Sequence, residues 1–167
     1  GVMKYFKNRA DSFLVAGASA NTLLSICGID VKNSIVSKNK NDRENLCKVV
    51  DYKNLLLPVD FKFSGKMILD IGKKTEKLFA DKIKTARTII WSGPIGAFEE
   101  KRFSGGTLAV AKAIAGNKKA FSVVGGGETV SFLEKHGFSK SFSFILTGGG
   151  AMLEFLSGNK LPGISAM

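Results

Sequence analysis

Three short apolar runs, each followed at once by glycine, constrain the fold of this chain more than any other feature. They begin the segments 88–99, 120–129 and 142–151. The runs are rich in β-branched and aromatic residues, as strands are, and a helix is expected soon after each turn. Strands that alternate with helices through short turns are typical of a parallel sheet flanked by helices. We therefore predict an α/β protein.

The glycines in these turns indicate a ligand. Two turns contain a glycine triplet, Gly125–Gly127 and Gly148–Gly150, although glycine is unfavourable inside helices and strands because it loses more backbone entropy than alanine. A helix N-terminus presents unpaired N–H groups, and glycine lets a phosphate reach them without meeting a Cβ. A fourth small-residue turn, Ala16–Ser19, has the same setting. The simpler alternative for 88–99 alone is a Gly-Pro turn beside a core tryptophan.

The remaining pattern predicts one continuous, doubly wound sheet in a single domain over residues 1–167. A strand is predicted at 55–60, and residues 62–65 are interpreted as a tight connection to the next strand at 67–71. Gly72 is expected to open a helix that runs to about Ile83. The last helix is expected to bury Ala151, Met152, Phe155 and Leu156.

Composition narrows the setting of the protein. Of its 167 residues 44% are hydrophobic, yet no apolar run approaches the roughly 18 residues of a membrane span, and no signal peptide is evident. We expect a cytoplasmic protein without a membrane partner. The two cysteines, Cys27 and Cys47, lie in apolar-periodic stretches, which favours buried free thiols over a disulfide.

The chain is strongly basic, with 25 Lys and Arg against 14 Asp and Glu and a formal charge of +11. Such a charge suits nucleic acid or any phosphorylated ligand. The lysines are scattered rather than grouped with aromatic residues into a stacking platform. Nucleic acid is therefore the less favoured partner, and a basic nucleic-acid-binding protein is kept as an alternative.

Seven motifs in a fixed order resemble the carboxyl-terminal half of phosphoglycerate kinase. They cover nearly the whole chain and lie at residues 57–60, 69–72, 91–99, 106–107, 125–129, 147–151 and 161–163. The resemblance implies a Rossmann-like, three-layer helix/sheet/helix fold with about six strands. It also implies a monomeric nucleotide-binding domain that binds ATP or ADP with Mg²⁺.

The family passes a phosphoryl group between 1,3-bisphosphoglycerate and ADP in glycolysis. What the resemblance implies for this chain is the nucleotide-binding part of that phosphotransferase. Its partner would be the amino-terminal, glycerate-binding domain of the same protein, which is absent from this chain. The chain alone is therefore expected to be inactive as a kinase.

The resemblance also implies a set of site residues. Glu99 would bond the ribose hydroxyls, Glu128 would hold magnesium directly or through water, and Thr129 would bind the distal phosphates. The N–H groups of Gly126 and Gly127 would join Thr129, and Gly148, Gly149 and Gly150 would stabilise the transferring group, as its catalytic residues. The other nucleotide-binding residues implied are Gly17, Gly72, Ser92, Pro94, Gly96 and Ala97.

Four positions depart from the usual family pattern. The family usually has Asn where this chain has Ser92, Asp where it has Glu128, Pro where it has Lys73, and a glycine triplet where it has Ala16–Ala18. Glu128 keeps the negative charge, whereas Ser92 reaches less far than an amide. These departures motivate an alternative function, a non-catalytic nucleotide-binding module derived from the same fold.

Overall fold

A computed structural model describes residues 1–161 and 163. Pro162 of the last motif and residues 164–167 lie outside the described residues. The elements in chain order are α1 (Val2–Tyr5), β1 (Phe13–Leu14), α2 (Gly17–Ile26), α3 (Lys40–Cys47), β2 (Leu55–Leu56), β3 (Phe61–Ser64), β4 (Met67–Ile71), α4 (Lys73–Thr85), β5 (Thr88–Ser92), α5 (Gly105–Gly116), β6 (Phe121–Gly125), α6 (Gly127–Lys135), β7 (Phe144–Leu146) and α7 (Gly149–Leu156), with short 3₁₀ turns at Lys101–Phe103 and Ser139–Ser141. The predicted α/β class is confirmed.

The chain divides into two compact units. Unit 1 consists of Gly1–Ala10, Ile83–Gly93 and Ala111–Met167, and unit 2 consists of Asp11–Lys82 and Pro94–Val110. The expectation of a single domain over residues 1–167 stays a prediction, because cooperative unfolding is what would test it.

Unit 1 contains the three predicted strand–glycine–helix segments, and their strands form a parallel sheet in the order β5-β6-β7. In this register Ser92 pairs with Gly125 and Gly125 pairs with Leu146. Parallel neighbours end at the same edge of a sheet, so the turns that follow the three strands lie side by side. The predicted parallel arrangement is confirmed for these strands.

The two faces of this sheet differ in burial. Trp91 and Val124 lie on one face and are buried, with relative exposures of 6% and 0%. The other face carries Ile90, Phe121 and Phe144, which are exposed. The rings of Phe121 and Phe144 contact each other across β6 and β7, with centroids 5.7 Å apart.

Unit 2 differs from the expectation of one continuous parallel sheet. β1 and β2 form a parallel pair, but β3 and β4 form an antiparallel hairpin in which Phe61 pairs with Ile71. The two-residue loop begins with Gly65 at φ +55°, the position where this class of hairpin requires glycine. The prediction that residues 62–65 are a connection is therefore wrong, because most of them belong to β3. Across the described residues, the strands pair into three small sheets.

Four side chains expected in the core are exposed instead. Cys27 and Cys47 are free thiols at the surface, Phe155 is 60% exposed, and Ala151 is exposed as well. Cys27 follows the last residue of α2, and Cys47 ends α3, a helix that has no buried residue. Of the four residues expected to be buried by the last helix, Met152 alone is buried.

The predicted helices after Gly17, Gly72, Ser104, Gly126 and Gly148 are confirmed. Within the described ranges, no helix has both the length and the apolar character needed to span a bilayer.

Candidate functional site

The turn after β5 in unit 1 is held by the tryptophan that precedes it. Gly93 adopts φ +85°, a conformation that residues with a Cβ rarely take. The buried Trp91 side chain donates its Nε1–H to the Gly93 carbonyl oxygen at 2.7 Å. Ser92, the implied nucleotide contact, is exposed at the end of β5. The tryptophan thus positions the turn, a role that its sequence interpretation as a core residue did not include.

The two glycine triplets of unit 1 pack against each other through bare backbone. A Cβ placed on Gly149 would lie 2.8 Å from the Cα and 3.0 Å from the N atom of Gly126. The Gly126 N–H donates to the Leu146 carbonyl oxygen at 3.0 Å. Gly125 is also confined, because its Cβ would lie 2.5 Å from the sulfur of Met152. Packing against backbone therefore requires glycine at position 149, whereas at Gly125 the end of the flexible Met152 side chain would have to shift.

Other glycines of the same triplets face open space. A Cβ on Gly127 or Gly150 would meet no atom within 4 Å, and one on Gly148 would meet only the Ala151 Cβ, at 3.9 Å. Packing does not explain why these positions lack a side chain. The backbone at the starts of α6 and α7 is therefore open to an approaching group.

The first turn of α6 has unsatisfied polar groups. Gly126 is its N-cap at φ +109°, and no side chain caps the helix, so the first N–H groups lack an intrahelical acceptor. Thr129, in this turn, is completely buried, and among the described residues its hydroxyl has no hydrogen-bond partner. Glu128 lies beside it and is exposed. Buried hydroxyls almost always have a partner, which makes Thr129 an exception, and the uncapped N–H groups at this helix start are suited to an anion such as phosphate.

The charge of unit 1 also favours an anion. It contains 11 basic and 3 acidic residues, a net charge of +8, whereas unit 2 contains 14 basic and 11 acidic residues. The three acidic residues of unit 1 are Glu128, Glu134 and Glu154.

In unit 2 the glycine at the start of α4 has a carboxylate beside it. The Asp60 side chain fills the space that a Cβ on Gly72 would need. Its Oδ2 accepts the N–H of Lys74 at 2.9 Å, and its Oδ1 accepts the N–H of Thr75 at 2.7 Å and the Thr75 hydroxyl at 2.6 Å. Asp60 therefore caps α4 from a neighbouring segment. Burial alone would raise the pKa of Asp60, but these hydrogen bonds outweigh it and hold the pKa below its usual value of 3.8.

A second carboxylate of unit 2 lies beneath the loop of residues 94–99. The Asp70 side chain is completely buried and accepts the Gly106 N–H at 3.0 Å, at the start of α5. A Cβ on Gly96 would lie 2.5 Å from Asp70 Oδ1. The glycine in this loop thus makes room for a side chain of the protein itself.

Asp70 belongs to a buried ionic network that the sequence pattern did not indicate. The Lys62 ammonium contacts Asp70 Oδ2 at 2.9 Å and Glu76 Oε1 at 3.2 Å. Lys73 contacts the other Glu76 oxygen at 2.7 Å. Burial would lower the pKa of Lys62, but the hydrogen bonds and attraction of Asp70 and Glu76 raise it above 10.5. The one sign of this network in the sequence was an aspartate, Asp70, within an otherwise apolar strand.

The implied site residues thus fall into two groups, each within one unit. Those in unit 1 are Ser92, Gly126, Gly127, Glu128, Thr129, Gly148, Gly149 and Gly150. Those in unit 2 are Gly17, Gly72, Pro94, Gly96, Ala97 and Glu99. Gly17 begins α2 at φ +60°, and its Cβ would lie 3.8 Å from the Ile95 carbonyl oxygen. Pro94, Gly96 and Ala97 are half-buried, and Glu99 is exposed.

Comparison with known proteins identifies the family. The sequence profile of the family described as "Phosphoglycerate kinase" matches residues 1–159. The chain belongs to the phosphoglycerate kinase family. It is 39% identical over 187 aligned residues to the phosphoglycerate kinase of Clostridium botulinum (strain Alaska E43 / Type E3), and 38% identical over 190 to that of Koribacter versatilis (strain Ellin345).

Solved structures of phosphoglycerate kinase have the same fold. The structure from Coxiella burnetii matches with a TM-score of 0.87 at 33% identity, and it covers 98% of this chain. The structure from Pyrococcus horikoshii OT3 matches with a TM-score of 0.79 at 32% identity over 99% of this chain. The chain spans about half the length of these relatives, 47% of the two curated sequences and 48% and 47% of the two structures. It corresponds to the carboxyl-terminal half of a phosphoglycerate kinase.

Proposed function

We propose that this chain binds an adenine nucleotide with Mg²⁺, its phosphates lying at the uncapped starts of α6 and α7 in unit 1. The observation that carries the proposal is the open backbone of Gly127 at a helix start that no side chain of the described residues caps. A phosphate oxygen would accept hydrogen bonds from the N–H groups of this turn and, in this proposal, from Thr129, and the helix dipole favours its charge. Gly148, Gly149 and Gly150 are proposed to stabilise the transferring phosphoryl group with the backbone at the α7 start.

The proposed metal role of Glu128 follows from its charge and position. An exposed carboxylate at a phosphate-binding helix start repels the ligand unless a cation lies between them. Mg²⁺ is commonly held by one or two carboxylates together with substrate phosphates. Glu128 fits that role, and no group of three His, Cys, Asp or Glu side chains in the described part of the chain provides a complete metal site. Bound Mg²⁺ would neutralise phosphate charge.

The base and ribose contacts are proposed for unit 2 residues. Gly17 and Gly72 would line the adenine slot, Pro94, Gly96 and Ala97 would form its wall, and Glu99 would accept hydrogen bonds from the ribose hydroxyls. Ser92, at the end of β5, would contact the nucleotide as well. Family membership and the exposure of Glu99 and Gly17 support these roles.

In the full-length protein, we propose, this half serves phosphoryl transfer between 1,3-bisphosphoglycerate and ADP, in the cytoplasm. Phosphoryl transfer depends on positioning and charge stabilisation rather than a covalent nucleophile, and the residues of unit 1 supply such groups. The partner would be the glycerate-binding half, and the chain itself a monomer.

Calorimetry of ADP and ATP binding, with and without Mg²⁺, tests the proposal. Glu128→Ala is expected to weaken the magnesium complex more than the free nucleotide. The matched control is Glu134→Ala, an exposed acid of the same helix, which should change neither. Equal losses with and without Mg²⁺ would remove Glu128 from the metal's coordination, and an absence of nucleotide binding by the folded chain would refute the proposal.

A coupled assay separates the kinase from the non-catalytic alternative suggested by Ser92 and Glu128. Holding an acceptor in line can lower the barrier by roughly 7–11 kcal/mol, and domain closure excludes water. This chain alone is therefore expected not to transfer phosphate to 3-phosphoglycerate. Adding a separately produced glycerate-binding half should restore turnover. Turnover by the chain alone contradicts this division of labour, and no turnover with both halves favours the non-catalytic module.

A further inference from the structure

The loop of residues 94–99, which carries four of the proposed nucleotide contacts, is fixed from below by hydrogen bonds within unit 2. The Ile95 N–H donates to the Thr107 hydroxyl at 3.1 Å, and the Ala97 N–H donates to the Leu69 carbonyl oxygen at 2.8 Å. Thr107 is completely buried. The loop conformation therefore depends on residues of β4 and on the first turn of α5.

Asp70 joins these two supports. It lies next to Leu69 in β4, and its carboxylate accepts the Gly106 N–H at 3.0 Å from Oδ2 and 3.2 Å from Oδ1. Gly106 precedes Thr107. The Asp70 carboxylate therefore fixes the first turn of α5, and the Thr107 hydroxyl in that turn fixes the loop. Asp70 Oδ1 also lies 2.5 Å from the position of a Cβ on Gly96, so the loop backbone rests on this oxygen.

A buried carboxylate keeps this position only if its charge is compensated. The Lys62 ammonium lies 2.9 Å from Asp70 Oδ2, and Lys62 itself is 28% exposed. Lys62 is also held by Glu76 at 3.2 Å. Because Lys62 reaches Asp70 from the adjacent hairpin strand, the ion pair links that hairpin to the start of α5.

We propose that the Asp70–Lys62 pair positions the 94–99 loop for the base and ribose of the nucleotide. Asp70 touches no ligand in this role and acts through Gly106, Thr107 and the loop backbone. The inference rests on the proposed nucleotide function. It predicts that disturbing the pair weakens recognition of the nucleoside part and spares recognition of the phosphates by unit 1.

The experiment measures ADP and inorganic tripolyphosphate binding by calorimetry, both with Mg²⁺, for Asp70→Asn and the unaltered chain. Asn keeps the size of the side chain but loses the charge that holds Lys62 and strengthens the Gly106 hydrogen bond. ADP affinity should fall by up to about tenfold, because without the charge-assisted hydrogen bond a smaller fraction of the chains keeps the loop in its binding conformation, while tripolyphosphate affinity should change less than about twofold. Phe79→Leu, a core change elsewhere in unit 2, controls for general loss of stability and should alter neither affinity.

Thr107→Val provides a second variant should Asp70→Asn fail to fold. It removes the acceptor for the Ile95 N–H while conserving shape, so it should reproduce the selective loss of ADP affinity. Unchanged ADP affinity in either folded variant, or equal losses for ADP and tripolyphosphate, would overturn the positioning role. If the unaltered chain binds neither ligand, the proposed function fails and this inference with it. If it binds ADP and the folded variants bind equally well, this inference fails alone.

Discussion

The starts of α4 and α5 in unit 2 and those of α6 and α7 in unit 1 are satisfied in opposite ways. In unit 2, α4 and α5 begin beside carboxylates of the protein itself, Asp60 and Asp70, and nearby glycines leave room for them. In unit 1, α6 and α7 have no side-chain cap. A helix N-terminus attracts an anion in both cases. The difference favours the starts of α6 and α7 over those of α4 and α5 as a site for a phosphate, because the protein supplies no anion of its own there.

The strongest test of this contrast is to remove the cation that balances the internal anion of α5. Lys62→Met leaves the buried Asp70 carboxylate without its ammonium partner. We expect a loss of unfolding free energy toward the low end of roughly 3–5 kcal/mol, because Lys62 is 28% exposed. Urea denaturation measures it. Lys77→Met, which breaks the exposed pair with Asp81, is the control and should change the unfolding free energy far less, because solvent screens that pair.

A smaller loss of stability is expected where two glycine turns of unit 1 touch. Gly149→Ala places a Cβ 2.8 Å from the Gly126 Cα, a backbone atom that cannot rotate away. We expect destabilisation of about 1–3 kcal/mol, as for other overpacked sites, measured by urea denaturation. A Gly149→Ala variant as stable as the unaltered chain would show that the turns are not in close contact.

Substitution of the glycines that face open space should reduce nucleotide affinity and not stability, unlike Gly149→Ala. Gly150 follows Gly149 in α7, but a Cβ at this position would meet no atom of the described residues within 4 Å. Gly150→Ala should therefore leave the free energy of unfolding unchanged or raise it by about 0.5–1 kcal/mol. Gly127→Ala should behave alike. Nucleotide affinity, measured by calorimetry, should nevertheless fall in both, because the Cβ occupies the approach to the backbone. Unchanged affinity with unchanged stability would mean that this space serves no ligand.

The cap on α4 predicts a modest dependence of stability on pH. The pKa of Asp60 is lower in the folded chain than its usual 3.8, so the carboxylate stabilises the fold above pH 3.8 and this contribution is lost as the pH falls through the folded pKa. Asp60→Asn should lower the free energy of unfolding modestly near neutral pH, because an amide NH₂ replaces one of the two oxygens that accept hydrogen bonds from Lys74 and Thr75. It should also flatten the decline in stability below pH 4. An unaltered acid profile in Asp60→Asn would contradict the assignment.

The two units are expected to unfold together in one cooperative transition. Apolar residues from the helices of both units pack on strands, and we predict one unfolding transition for residues 1–167. Heating followed by circular dichroism should give a single midpoint. Peptides from the two units should lose protection from hydrogen exchange together. Separate midpoints would establish two independently folding units.

Much of the fold follows from local pattern, because strand, turn and helix signals are short-range. The segments β5 to α7 were predictable from apolar runs that end in glycine. The β3–β4 hairpin was not, since Gly65 permits either a turn between parallel elements or a two-residue hairpin, and the pairing partner decides. Cys27 and Cys47 fit apolar periodicity, yet both are exposed, which periodicity alone did not indicate; each lies at the end of a helix.

The candidate site was predictable in composition but not in the role of each glycine. Sequence cannot distinguish Gly72, which makes room for Asp60, from Gly127, which faces open space, because the difference depends on residues distant in the chain. The Asp70–Lys62 pair was missed for the same reason. Thr129 was identified through the family motif, and its unpartnered hydroxyl is visible only in three dimensions.

The hydrogen bond between Trp91 and Gly93 has an optical consequence. Trp91 is the one tryptophan of the chain, so all indole fluorescence originates from a buried ring fixed to the turn after β5. Its emission maximum and lifetime report the polarity and rigidity around that turn. Displacement of the turn by a bound molecule would alter the signal directly, and titrations can be followed at low concentration without an attached dye.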